Sequence, residues 1–148
     1  MVEKDMNILS PGWNFDNTYN TLPKKMFSFV DPTPVNNPNL IIFNDDLAKK
    51  MGLDFSSYTK KDLSELFSGN KLPKNSKPFA QAYAGHQFGH FTMLGDGRAT
   101  IIGEHITPNK DRLDLQFKGS GKTIYSRSGD GRASLTSMMR EYLISESM

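Results

Sequence analysis

The stretch Leu94-Gly-Asp-Gly-Arg-Ala-Thr-Ile-Ile-Gly-Glu104, followed by Asp114-Leu-Gln-Phe-Lys-Gly-Ser-Gly-Lys-Thr123 and Ser128-Gly-Asp-Gly-Arg-Ala133, decides how this chain is read. Glycines alternate with charged residues, and each cluster abuts a run with strand or helix character. A backbone makes room for a charged ligand in this way, and a nucleotide fits best. Ala99–Glu104 reads as one strand and Leu113–Lys118 as another, with Thr107-Pro-Asn-Lys110 turning the chain between them as a hairpin. In the second strand Leu113, Leu115 and Phe117 share one face, and Asp114, Gln116 and Lys118 the other.

Working outward, Leu135, Met138, Met139, Tyr142 and Leu143 recur at helical spacing from Arg132 onward. That pattern is still running at Met148, so a fragment cut off in its last helix is expected. Upstream, Asn44 is a good N-cap for a short helix over Asp45–Met51, stopped by Gly52. A second helix is expected from Thr59 or Lys60 to Phe67, closed by Gly69-Asn70. Met26–Val30 reads as a short strand and Leu40–Phe43 as a β-prone run. Met1–Asn20 reads as an irregular arm that docks through Trp13, Phe15 and Tyr19. Lys71–Pro78 is a polar connector. This divides the chain into an extension with small helices (1–77) and a ligand-binding part (78–148). In the segment from Pro78 to His90 the polar residues look placed rather than solvated, in a hydrogen-bonded structural role.

Bulk properties narrow the function classes. With 148 residues the chain can bury a working core, and 36% hydrophobic against 23% charged residues is not the composition of a disordered chain. A formal charge of +2 is too small to argue for nucleic acid or an anionic membrane surface. The absence of cysteine removes disulfides, thiolate nucleophiles and Cys-based zinc sites. No apolar run approaches the about 20 residues that span a bilayer, and the N-terminus lacks signal-peptide regions, so the cytoplasm is the default.

Each chemical motif has a plain alternative. Gly121-Lys-Thr123 after a strand suggests a P-loop, but that motif needs a glycine where this chain has Gln116, and a helix where Ile124–Gly129 reads as loop. The better reading has Lys118 ending a strand and pointing into a cleft; an ordinary surface lysine is the alternative. His86 and His90 have the spacing of a helical zinc pair, yet the flanking glycines and the missing glutamate argue against zinc. Gly-Asp-Gly-Arg-Ala occurs at Gly95–Ala99 and Gly129–Ala133, once before a strand and once before a helix. Each copy offers exposed amides and an arginine able to grip phosphate. The alternative is a tight turn whose Asp accepts backbone N–H bonds. Glu141 lies beside the apolar stripe of the last helix, where it can pair with Lys118 or simply be solvated.

Together these residues resemble the selenoprotein O-like (YdiU-type) protein adenylyltransferases, a pseudokinase-related family. The matching text is Tyr83-Ala-Gly-His-Gln-Phe-Gly89, Leu94–Ala99, Leu115–Gly121, Tyr125–Ala133 and Arg140–Met148, and upstream Phe15–Tyr19, Pro32–Val35, Leu47-Ala48 and Phe67–Asn70. The resemblance implies an α+β, protein-kinase-like (pseudokinase) N-terminal lobe with an N-terminal extension. It implies ATP bound in a flipped orientation, and transfer of AMP to Ser, Thr or Tyr hydroxyls of protein substrates. Gly95, Gly97, Arg98, Lys118, Asp130 and Gly131 correspond to the family's nucleotide contacts, and Glu141 to the glutamate that orients the lysine. Asp130, repelled by phosphate, would meet a sugar or base edge. The catalytic base, the Mg2+ or Mn2+ ligands and two further phosphate arginines are expected beyond Met148. Weak or no catalysis is therefore expected of this chain alone. A departure is Ile124, where the family usually has Pro. A non-catalytic nucleotide-binding module and a phosphotransferase are the competing readings.

Overall fold

The computed structural model describes residues 10–87 and 89–148. Residues 1–9 of the expected N-terminal arm, and Phe88 within the Tyr83–Gly89 motif, lie outside the described residues. Among the described residues the architecture is α+β: a five-stranded antiparallel sheet with three α-helices and two single-turn 3-10 helices. The strands are β1 (Phe27–Phe29), β2 (Phe79–Gln87), β3 (His90–Gly95), β4 (Ala99–Ile106) and β5 (Arg112–Lys118). The α-helices are α1 (Asp45–Lys50), α2 (Lys60–Phe67) and α3 (Leu135–Ser147). In the sheet the order is β1-β2-β4-β5, with β3 pairing β2 beyond the point where β2 leaves β1 and β4.

Local chemistry fixes the helices. The Asn44 side chain accepts the Leu47 N–H, two acids open α1 and two lysines close it, and Gly52 follows in the left-handed region. Thr59 and Asp62 form a reciprocal capping box on α2. The buried Leu63 and Leu66 of that helix join Ala48, Leu53 and Phe55 in one core cluster, against which Trp13, Phe43 and Phe67 pack. A second cluster, Phe27, Phe79 and Ile101 with Tyr19 against it, lies on the sheet. The rings of Phe67 and Phe117, 6.4 Å apart, link helix and sheet.

The arm docks through its rings, as expected, and also through its backbone. Trp13 stacks on Phe15 and sets its edge against His105. Asn14 and Asp16 exchange backbone bonds with Ile106 and Glu104 of β4. A β-bulge displaces the register at Ile101/Gly103, and the Phe15 ring occupies the space that a side chain at Gly103 would need. The buried His105 joins both halves: Nδ1 accepts the Asn14 N–H at 3.1 Å and Nε2 therefore donates to the Met51 carbonyl at 2.8 Å.

One expectation fails and a second fails in part. Leu40–Phe43 forms no strand; Leu40 and Phe43 pack against the helical cluster while Ile41 faces solvent. Its β-prone residues meet apolar partners but no neighbouring strand to bond with. The polar side chains from Pro78 to His90 are not all withdrawn from solvent, although the backbone there is hydrogen-bonded in the β2–β3 hairpin, paired from Ala82↔Gly95 to Gln87↔His90. The side chains of His86 and His90 are exposed on it, as are Tyr83, Phe91 and Met93, because strand pairing there consumes backbone groups and leaves side chains outward. Among the described residues no helix is long and apolar enough to cross a membrane.

Candidate functional site

A cavity of about 880 Å3 opens where the β2–β3 hairpin, the β3–β4 turn, the end of β5 and the loop before α3 meet. Its size lies within the range of small-molecule sites, about 300–1,000 Å3. Gly95, Gly97, Arg98, Lys118, Asp130 and Gly131 all line it, so three separate segments of the chain converge on one space. The seventh expected residue, Glu141, reaches the site through Lys118. The lysine Nζ lies 2.8 Å from each oxygen of the Glu141 carboxylate. Lys118 gets there because it ends β5 on its polar face, and Glu141 because α3 starts at Ser134, whose hydroxyl accepts the Ser137 N–H as N-cap. The lysine is neither an unpaired surface group nor the glutamate a purely solvated one.

The Gly121-Lys-Thr123 tripeptide is not a P-loop. No helix follows it, and the Thr123 hydroxyl is buried and turned to the Asp96 carbonyl. The first Gly-Asp-Gly-Arg-Ala copy leads into β4 and the second into α3, as expected. In both copies the aspartate also accepts a backbone N–H, from strand β2 in the first and within its own turn in the second. Asp96 Oδ2 accepts the Gln81 N–H at 2.9 Å, and Asp130 Oδ1 accepts the Arg132 N–H at 2.9 Å. Accepting a backbone bond and lining the cavity thus coexist. Burial, partly offset by that Gln81 bond, pushes the Asp96 carboxyl above the usual carboxylate range. Burial, with the Asp96 charge adding to it, likewise raises the Tyr83 phenol.

The glycines do not all serve as open room for a ligand. A side chain on Gly95 would overlap the Tyr125 ring, so the close approach there is to the protein itself. Gly131 sits at φ +72 with the Gly121 backbone against it, a position closed to any Cβ on both counts. The two arginines also diverge. Arg98 is exposed at the cavity, and its side chain has no hydrogen bond or ion pair among the described residues. Arg132 is turned to the Thr33 and Pro34 carbonyls at 3.1 and 3.3 Å. One guanidinium nitrogen of Arg132 is thus spent on two backbone carbonyls, whereas every donor of Arg98 is open to a ligand. Sequence reasoning did not single out Tyr83, Gln116 or Arg127, which also line the cavity. Gln116 was legible as a neighbour of Lys118 on the polar face of β5. The other two lie within the family-like stretches Tyr83–Gly89 and Tyr125–Ala133, which gave them no individual role.

Residues 11–148 match the family model described as Protein adenylyltransferase SelO. The chain belongs to the SelO family. Among its relatives, the Protein nucleotidyltransferase YdiU of Pelagibacter ubique is 62% identical over 137 residues, which is 93% of this chain and 28% of that protein. The protein of the same name in Brevibacillus brevis is 58% identical over 148 residues, all of this chain and 30% of the relative. The chain therefore spans less than a third of the length of these SelO-family relatives.

Among the described residues no three His, Asp or Glu side chains converge as a metal would need. The two cavity aspartates each commit an oxygen to a backbone N–H.

Proposed function

We propose that this chain is the ATP-positioning part of a protein adenylyltransferase, built as a protein-kinase-like N-terminal lobe. The observation that carries the reading is the Lys118–Glu141 pair at the cavity between the two Gly-Asp-Gly-Arg turns. In kinases a strand lysine held by a helix glutamate presents its ammonium to the nucleotide phosphates. Here the carboxylate holds the ammonium at two oxygens, and Arg98 adds a second cation at the same cavity. Gly95 and Gly97 let the turn seat against Tyr125 on one side of the cavity, and Asp130 and Gly131 close the other side against sugar or base. The names of the relatives, protein nucleotidyltransferases, support transfer of a nucleotidyl group to a protein. In this reading ATP lies flipped, so that a Ser, Thr or Tyr hydroxyl attacks the α-phosphate and AMP is transferred.

The base and the Mg2+ or Mn2+ ligands are assigned to the part of the family members that this chain does not span. Taken alone, the chain positions ATP without turning it over. It then behaves as a nucleotide-binding module, which the lack of converging metal donors among the described residues favours.

The test is a chimera in which these 148 residues replace the matching segment of the Brevibacillus brevis relative, incubated with a protein acceptor, Mg2+ or Mn2+, and ATP labelled at the α- or γ-phosphate. Transfer of the α-label, lost in Lys118→Met, supports the reading. Transfer of the γ-label instead identifies a phosphotransferase and overturns it. Clear α-label transfer by the 148-residue chain alone would refute the division of labour.

A further inference from the structure

The tripeptide that is not a P-loop has another task. Thr123 and Ser126 are buried, and their partners fix what each hydroxyl does. Thr123 Oγ1 donates to the Asp96 carbonyl at 2.6 Å and accepts the Tyr125 N–H at 3.1 Å. Ser126 Oγ donates to the Gly97 carbonyl and accepts the Thr123 N–H at 2.7 Å. A carbonyl cannot donate and an N–H cannot accept, so neither hydroxyl can rotate without losing a bond.

The two carbonyls held this way are consecutive in the β3–β4 turn. In a planar trans peptide, C=O and N–H point to opposite sides, and the described chain has no cis bond. Tying the Asp96 and Gly97 carbonyls to the 123–126 segment therefore aims the Gly97 and Arg98 N–H groups away from it. Neither N–H has an acceptor among the described residues, and both residues line the cavity. Successive unpaired backbone N–H groups form a nest that binds anions.

We infer that Thr123 and Ser126 are positioning residues that hold the Gly97 and Arg98 amides toward a phosphate oxygen of the nucleotide. The inference rests on the reading that this cavity takes ATP. If the hydroxyls merely fastened a loop, their loss would not distinguish one cavity ligand from another. A phosphate-directed role touches ligands with phosphate alone.

The experiment titrates the chain and its variants with ATP and with adenosine, recording thermal melting of each. Thr123→Val and Ser126→Ala are expected to lose about tenfold in ATP affinity, the scale of one hydrogen bond to a charged group. Their adenosine affinity stays unchanged, and Thr123→Ser binds ATP like the wild type. The inference is overturned if either folded variant binds ATP like the wild type, if ATP and adenosine weaken in equal proportion, or if Thr123→Ser also weakens. Should Thr123→Val not fold, Ser126→Ala and Thr123→Ser decide alone. Lys118→Met keeps the two ideas apart. If it binds ATP as tightly as the wild type, or if the wild type does not bind ATP, the nucleotide reading fails and takes the inference with it. If Lys118→Met weakens and the hydroxyl variants do not, the inference alone fails.

Discussion

Replacing Asp96 separates its two duties, accepting a backbone bond and carrying a charge. Its Oδ2 is the acceptor for the Gln81 N–H in a buried turn. Asp96→Ala leaves that N–H without a partner, which costs about 1–3 kcal/mol. At about 2–4 °C per kcal/mol for a chain of this size, melting should fall by roughly 2–12 °C. Asp96→Asn keeps an oxygen for Gln81 and removes the charge. Because burial raises the carboxyl's pKa in the folded state, the native state binds the proton more tightly than the unfolded chain does. The stability this group contributes is complete below its unfolded pKa and is lost as pH rises through the raised folded value. At neutral pH the charged carboxylate is thus a cost that Asn does not bear. Differential scanning fluorimetry from pH 4 to 8 should show Asn melting at or above wild type at pH 7, with the gap closing toward pH 4. An Asn variant that melts as low as Ala at pH 7, or a gap that widens in acid, would refute the reasoning.

Three further outcomes follow from named contacts. Gly131→Ala meets both a positive φ and the Gly121 backbone, so it should destabilise by more than about 1 kcal/mol, read as a lower urea midpoint. His105→Phe keeps ring volume but orphans the Asn14 N–H and the Met51 carbonyl, at about 1–3 kcal/mol each. Protease sensitivity near residues 13–16 should rise in that variant before global unfolding. Glu141→Gln removes an ion pair whose side chains are 36% and 47% exposed, so stability should change by less than about 1 kcal/mol. ATP affinity should fall all the same, because Lys118 loses its hold.

What could be read from the residues was what local chemistry determines. Asn44 announces its helix through a cap that depends on a neighbour three positions away, and Leu63, Leu66 and Phe67 announce the next through their shared face. The alternation from Leu113 to Lys118 exposes the strand and the polar face of its lysine. The Lys118–Glu141 pairing needed the family resemblance, since a strand and a helix 23 residues apart show no mutual periodicity. What stayed hidden depended on partners distant in sequence. Ala82, Gly85 and His86 have no preference for strands, and they form one because β3 supplies the ladder. Leu40–Phe43 has the preference and lacks the partner. Arg132 looked like its twin Arg98 until the Thr33 and Pro34 carbonyls claimed it. The room beside Gly95 looked like space for a ligand until Tyr125 filled it.

The central claim is that Lys118, held by Glu141, presents a cation to the phosphates of ATP. Isothermal titration of ATP into the wild-type chain and Lys118→Met, with melting recorded for both, tests it most directly. The account predicts a saturable wild-type isotherm, a loss of about tenfold or more in the variant from one charge-assisted contact, and melting temperatures that agree within a few degrees, since an exposed pair adds little stability. Equal ATP affinity in the two folded proteins would contradict it.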